Sequence, residues 1–293
     1  MSDFKWQASM ANKRDIVENR LTDWFDSVST CKVNQAGRYA VLGGGHRWRA
    51  LFVTAISDLF DPAPDVFDSV LSGAAAIELI HAASLVLDDL PSMDDASMRR
   101  GKACTHLVYP DWVVDLLPAY LITGAYDLFL SGGGSFPKRR LKAAQLLSRA
   151  GIEMIKGQEN DLIMVHEKQS EDTLITCYRR KTGALWSTAG QAAAIICGAA
   201  SNDVERITDC GMNLALYYQF IDDIGDVTGT VATIGKPAGL DANKLTSVNL
   251  YGLNGARQRA KMFQNNALKS IDTFGTEADF LRHLITRASY VLD

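Results

Sequence analysis

The chain has 293 residues, 47% of them hydrophobic and 22% charged, with a net charge of -4, so it can bury a substantial core as one large domain. A pI near 5.8 excludes a general attraction to nucleic acid or anionic lipid, and an anionic partner would need a local basic site. The five cysteines, odd in number and nowhere spaced as CxxC or a zinc pattern, read as reduced thiols of a cytoplasmic protein.

In chain order, the first residues mix acids with bases and hold no apolar run, so no signal peptide is expected. Helical periodicity then predicts helices over 15–25, 48–59, 66–87, 116–130, 138–155 and 172–199. The apolar stretches 112–130 and 184–200 carry Asp115, Asp127 and Gln191, as core helices do and membrane spans rarely do. Turns are expected at Gly43-Gly44-Gly45, Asp61-Pro62-Ala63-Pro64, Gly132-Gly133-Gly134 and Gly235-Lys236-Pro237. Alternating β-branched runs are almost absent. The expectation is one all-α domain over 1–293, with ten or more helices joined by short turns.

Chemistry concentrates in a few stretches. In LGGGHRWRALF, Gly43 to Gly45 are read as opening a helix whose N–H groups can approach an anion, with His46 and Arg49 on one face. SLVLDDLPSMDDASMRRG crowds Asp88, Asp89, Asp94 and Asp95 ahead of Arg99 and Arg100, and carboxylates so close repel unless a cation or protons intervene. Asp88 and Asp94, six apart, fall on different faces of a straight helix. Pro91 between them can end the helix and turn Asp94 back toward Asp88. Further on, LALYYQFIDDIGDV places Asp222 and Asp226 four apart on one helix face. RRKTGAL and IGKPAGLD contribute Lys181 and Lys236. Oxygen-only donors favour Mg²⁺ over zinc, and Mg²⁺ bound through carboxylates implies a phosphate ester substrate. Either acidic stretch alone could equally be a helix end facing water, and each basic residue alone a solvated charge. Their joint presence favours the site.

The ordered set GGGHRWR, IELIHAASLVLDDLPSMDDASMRRG, GQENDL, KTGAL, YYQFIDDIGD and GKPAGLDANKLTS resembles the trans-isoprenyl diphosphate synthases, or polyprenyl synthetases, over nearly the whole chain. The wording HAASLVLDD, with Leu87 where many members have His, looks like the geranylgeranyl diphosphate synthases of bacterial terpenoid and carotenoid pathways. The resemblance implies the isoprenoid synthase fold, helices around a central cavity, and a homodimer. It implies that Asp88 and Asp94, with Asp222 as the chief ligand of the second motif, hold three Mg²⁺ ions on an allylic diphosphate. Arg99, Lys181 and Lys236 would be further contacts of that diphosphate. His46, Arg49, His81 and Arg100 would bind isopentenyl diphosphate, and the oxygens of Thr182 and Gln219 would face the reacting carbons. Two departures stand out: His46 replaces the family Lys, and Ala50 the family Pro.

The implied reaction joins isopentenyl diphosphate to an allylic diphosphate. Small residues at Ala83 and Ser84, with Ile80 a turn further back, leave room for the growing chain and imply geranylgeranyl diphosphate, C20. A C15 farnesyl diphosphate synthase is the alternative. A class I terpene cyclase would have no second substrate for GGGHRWR to anchor, and a non-catalytic partner subunit would have lost aspartates.

Overall fold

The computed structural model describes residues 3–131, 136–163, 170–228 and 245–287. It is all-α, as the periodicity predicts, and its helices are α1 (Asp3–Ser27), α2 (Lys32–Val41), α3 (Trp48–Asp58), α4 (Pro64–Asp88), α5 (Asp111–Ser131), α6 (Pro137–Ile163), α7 (Glu171–Tyr178), α8 (Ala184–Cys197), α9 (Ser201–Thr228), α10 (Ser247–Ser270) and α11 (Asp279–Arg287). A π-helical turn, Arg179–Gly183, joins α7 to α8. Among the described residues the only sheet is the antiparallel pair β1 (Met98–Arg99) and β2 (Lys102–Ala103), with Met98 opposite Ala103.

Local chemistry sets the helix ends. Pro64, with no N–H to satisfy, begins α4. The Ser170 and Thr246 side chains accept from Thr173 N at 3.2 Å and Asn249 N at 3.1 Å, capping α7 and α10. Gly198, at φ +81, closes α8 in the left-handed conformation that glycine adopts without strain. α4 is buried nearly all round, packed on α3, α5 and α8. Helices α4 and α5 are long and apolar enough to cross a membrane, but α4 spends its apolar surface inside the bundle. α8 packs on α6 and α9, and α10 lies along α9.

Several predicted boundaries change. Helix α1 starts twelve residues before the predicted position, and α2 falls where none was predicted. The predicted single helix 172–199 divides into α7, the π turn and α8, and Gly157 of α6 sits against the turn's backbone. Gly43 to Gly45 do not open a helix: α3 begins at Trp48. The predicted turns at Gly132-Gly133-Gly134 and Gly235-Lys236-Pro237 lie outside the described residues.

Candidate active site

The C-terminal end of α4 carries the first acidic stretch. The helix stops at Asp88, Pro91 follows in the turn, and the chain bends back until Asp94 N donates to the Asp88 carbonyl at 2.9 Å. The predicted return of Asp94 to Asp88 is therefore present. Burial raises the Asp88 pKa above the usual carboxylate range; Asp94 and Asp161 push the same way, and Lys181 and Arg99 oppose them.

Asp89 points elsewhere. It is 4% exposed and takes Arg99, whose Nε reaches Oδ1 at 3.0 Å and whose Nη2 reaches the same oxygen at 2.5 Å. Arg99 thus already has a carboxylate partner, and a diphosphate would have to share it. The two short strands place Arg100 beside the glycine-rich loop, where Nη1 donates to the Gly44 carbonyl at 2.9 Å. Gly45 has φ +122, and a Cβ there would lie 2.8 Å from Arg100 Cζ, so only glycine lets that guanidinium lie across the loop.

The loop does not put His46 and Arg49 on one helix face. His46 precedes α3 in the loop that leads into it, while Arg49 is in the first turn. Arg47 between them is structural: at φ +55 and 3% exposed, it donates to Glu18 at 2.7 Å, to the Val41 carbonyl, and to buried Glu78 at 3.5 Å. Glu78 also accepts Ala50 N at 3.2 Å. These bonds offset the left-handed backbone at Arg47.

Around that keystone stands a group of cations. Arg49 lies 5.3 Å from the Trp186 ring; its buried Nε has no hydrogen-bond partner among the described residues, and burial pushes its pKa down to about 10. The imidazole of His81, seven residues before Asp88, is pushed well below its ordinary pKa by burial, then by Arg49, Arg100, Arg99 and Arg47. That of His46 is lowered by burial, then by Arg14 of α1 and by Arg100. Basic groups buried beside one another in this way gain most from a bound polyanion.

The third wall is the π turn. A Cβ on Gly157 would lie 2.2 Å from Lys181 N, so α6 touches the turn's backbone. Lys181 Nζ donates to Asp161 at 2.7 Å, and Thr182 Oγ1 donates to Gln219 Oε1 at 2.7 Å. Burial works against the Lys181 charge, but Asp161 and Asp88 outweigh it and its pKa rises. Just before the turn, Tyr178 OH donates to Asp223 Oδ2 at 2.6 Å, and Ser247 N of α10 donates to the same oxygen at 2.7 Å. Asp223 therefore ties α9, the end of α7 and α10 together.

Asp222 is exposed and acts electrostatically on Arg49 and Tyr218. Asp226, predicted to project with it, is instead 5% exposed. It follows Asp223 by three residues on the same helix. Among the described residues no three acidic, histidine or cysteine side chains close on a common point. The donor chemistry nevertheless suits a hard divalent cation: all the donors are oxygens, and Asp88 is a carboxylate crowded by two others. Lys236 lies outside the described residues.

On α4, Ser84 is partly exposed in line with His81 and Asp88 and donates to the His81 carbonyl at 2.8 Å. Ala83 and Ile80, at 1% and 6% exposure, lie beneath that strip in the core. Sequence reasoning missed Arg14, Asp89, Asp161 and Asp223 as parts of the site. Asp161 was within reach, since it stands in GQENDL; Arg14 had no local signal.

The model of the polyprenyl synthetase family matches residues 31–279. Geranylgeranyl pyrophosphate synthase 10, mitochondrial, of Arabidopsis thaliana is 31% identical over 300 residues, covering 99% of this chain and 86% of its own. The farnesyl diphosphate synthase of Haemophilus influenzae is 35% identical over 265 residues, covering 87% and 88%. Among solved structures, an FPP/GFPP synthase from Zymomonas mobilis is similar with a TM-score of 0.84 and 28% identity, covering 98% of this chain and 99% of that one.

Proposed function

The chain belongs to the polyprenyl synthetase family and is a trans-prenyltransferase, and from that premise we propose that it condenses isopentenyl diphosphate with an allylic diphosphate, making geranylgeranyl diphosphate as its main product. One observation carries the reading: a basic group (His46, Arg49, His81, Arg100) stands beside an acidic group, Asp88, Asp94 and Asp161, gathered around Lys181. Two diphosphates of different roles need such a pair of subsites.

The allylic diphosphate lies on the acidic side. Asp88, Asp94 and Asp222 would hold Mg²⁺, which when bound neutralises the diphosphate charge. Lys181 reaches the same diphosphate from the π turn as a fixed cation, kept charged by Asp161. As the allylic C–O bond breaks, its electron pair leaves with the diphosphate. Thr182 spends its proton on Gln219, so its lone pairs remain to face the positive carbon. Isopentenyl diphosphate is fixed by Arg49 and Arg100, with neutral His81 as a hydrogen-bonding group and His46 at the mouth. Its terminal alkene attacks the allylic carbon, and the adjacent proton passes to the departed diphosphate. No side chain need act as a strong base.

The C20 product rests on the small residues Ala83 and Ser84 beneath Asp88. A homodimer is supported by the apolar outer faces of α5 and α6, where Trp112, Leu116 and Ile152 are each 53% exposed and Ile155 is 71% exposed; sedimentation velocity checks it. The function is tested by incubating the purified chain with Mg²⁺, isopentenyl diphosphate and, in turn, dimethylallyl, geranyl and farnesyl diphosphate, with chain lengths read by mass spectrometry. Geranylgeranyl diphosphate from each starter is expected. Products ending at C15 would move the assignment to a farnesyl diphosphate synthase, and no elongation at all would refute the reading.

A further inference from the structure

We infer that Arg14, on α1, is a binding residue for the diphosphate of isopentenyl diphosphate and supplies the permanent positive charge that His46 does not. The inference rests on the proposed use of the cation group as the isopentenyl diphosphate subsite.

Most cations around the glycine-rich loop are already engaged. Arg47 is bound to Glu18, Glu78 and the Val41 carbonyl. Arg99 is bound to Asp89, and Arg100 gives one nitrogen to Gly44. Arg14 and Arg49 differ, since each has a buried Nε with no hydrogen-bond partner among the described residues. A buried donor left unmade is costly, and an anion that accepts from it recovers that cost.

The geometry of α1 turns Arg14 toward the loop. Glu18 lies four residues after it on the same helix face, and Glu18 accepts the Arg47 Nε at 2.7 Å. One turn back along that face, Arg14 acts electrostatically on His46. On the neighbouring positions, Lys13 is held by Asp58 at 2.8 Å and Arg20 by Asp68 and Ser72, each away from the loop. Arg14 is thus the member of the α1 basic series that faces the subsite.

His46 makes the need plain. It stands where the family pattern has lysine, and Arg14 and Arg100 together with burial hold its imidazole below its ordinary pKa. At neutral pH it therefore brings no fixed charge to the empty-handed position, whereas a guanidinium stays charged at any working pH. Arg14 also lies outside residues 31–279, the stretch the family model matches. It is contributed by α1.

The test is kinetic, with geranyl diphosphate as co-substrate. Arg14→Gln is expected to raise KM for isopentenyl diphosphate about 10-fold or more, the loss of one charge-assisted hydrogen bond. KM for geranyl diphosphate should stay within about twofold, and Tm should not fall, because the change relieves repulsion among cations. Adding His46→Lys to Arg14→Gln should restore most of the lost affinity. His46→Lys alone, which leaves α1 untouched, should improve KM by less than about threefold, since the fixed charge is already present. The inference is overturned if Arg14→Gln leaves KM for isopentenyl diphosphate unchanged, if both substrates weaken equally, or if His46→Lys alone improves KM 10-fold or more. Wild-type protein that elongates no allylic diphosphate would instead overturn the functional reading on which the inference rests.

Discussion

Replacing Gly157 with alanine isolates what the π turn contributes. A Cβ at this position would meet Lys181 N at 2.2 Å, Lys181 Cα at 2.5 Å and Arg180 C at 2.7 Å, all backbone atoms that cannot rotate away. Ordinary contact begins at 3.4 Å, so the turn must retreat by about 1.2 Å, the difference between 3.4 and 2.2 Å. Such a shift lengthens the 2.7 Å bond from Lys181 to Asp161 and moves Thr182 away from the reacting carbons. Misplacement by about 1 Å costs on the order of 100-fold in rate, and overpacking of this kind costs about 1–3 kcal/mol. A domain stable by about 5–15 kcal/mol survives that. Gly157→Ala should therefore remain folded by circular dichroism, melt earlier, and lose about 100-fold in kcat in a steady-state assay with geranyl diphosphate. KM for isopentenyl diphosphate should hardly change, because Arg49 sits on α3. A variant with wild-type Tm and kcat would show that α6 does not set the position of Lys181.

Further outcomes follow from the same geometry. Asp88→Ala and Asp222→Ala should each lower kcat by 100-fold or more at nearly unchanged Tm, since the first relieves carboxylate crowding and the second removes an exposed group; a large fall in Tm with normal kcat would contradict the assignment. Ser84→Phe, on the open strip one turn beneath Asp88, should shorten the main product, and Ala83→Tyr should do the same at a greater cost in stability because Ala83 is buried; an unchanged product chain length in Ser84→Phe would mean that the tail runs elsewhere. His81 has a folded pKa well below 6.5, so its share of stability is full above the unfolded value and is lost as pH falls below about 6.5. Thermal melts of the free protein from pH 7.5 to 5.5 should accordingly show a shallower loss of Tm in His81→Gln than in wild type, and parallel curves would refute the neutral imidazole.

What could be read from the sequence was whatever depends on neighbours along the chain. The helical class follows from period, and the return of Asp94 to Asp88 follows from one proline between them. Reading failed where distant backbone decides. Nothing around Arg179 to Gly183 announces a π turn, and the glycine against which it packs stands far off on α6. The spacing of Asp222 and Asp226 is right for a shared face, yet the first is exposed and the second is buried, and no local pattern states which of the two a neighbouring helix will shield. Arg47 and Arg49 are chemically alike in GGGHRWR, and only Glu18 and Glu78, contributed by α1 and α4, make the first a keystone and leave the second available. Likewise Asp89 looks like a twin of Asp88 until the strand pair brings Arg99 onto it. Arg14 was invisible because its role depends on which face α1 turns to a loop that comes thirty residues later.

Two diphosphates in two chemically distinct subsites should be separable by Arg49→Gln measured against both substrates. Arg49 feels Glu78, Arg100 and Asp222 electrostatically, and its buried Nε has no hydrogen-bond partner among the described residues. With isopentenyl and geranyl diphosphate varied independently, Arg49→Gln should raise KM for isopentenyl diphosphate by 10-fold or more and leave that for geranyl diphosphate within about twofold. Equal weakening of both substrates, or a selective loss of geranyl diphosphate, would contradict the division of the site.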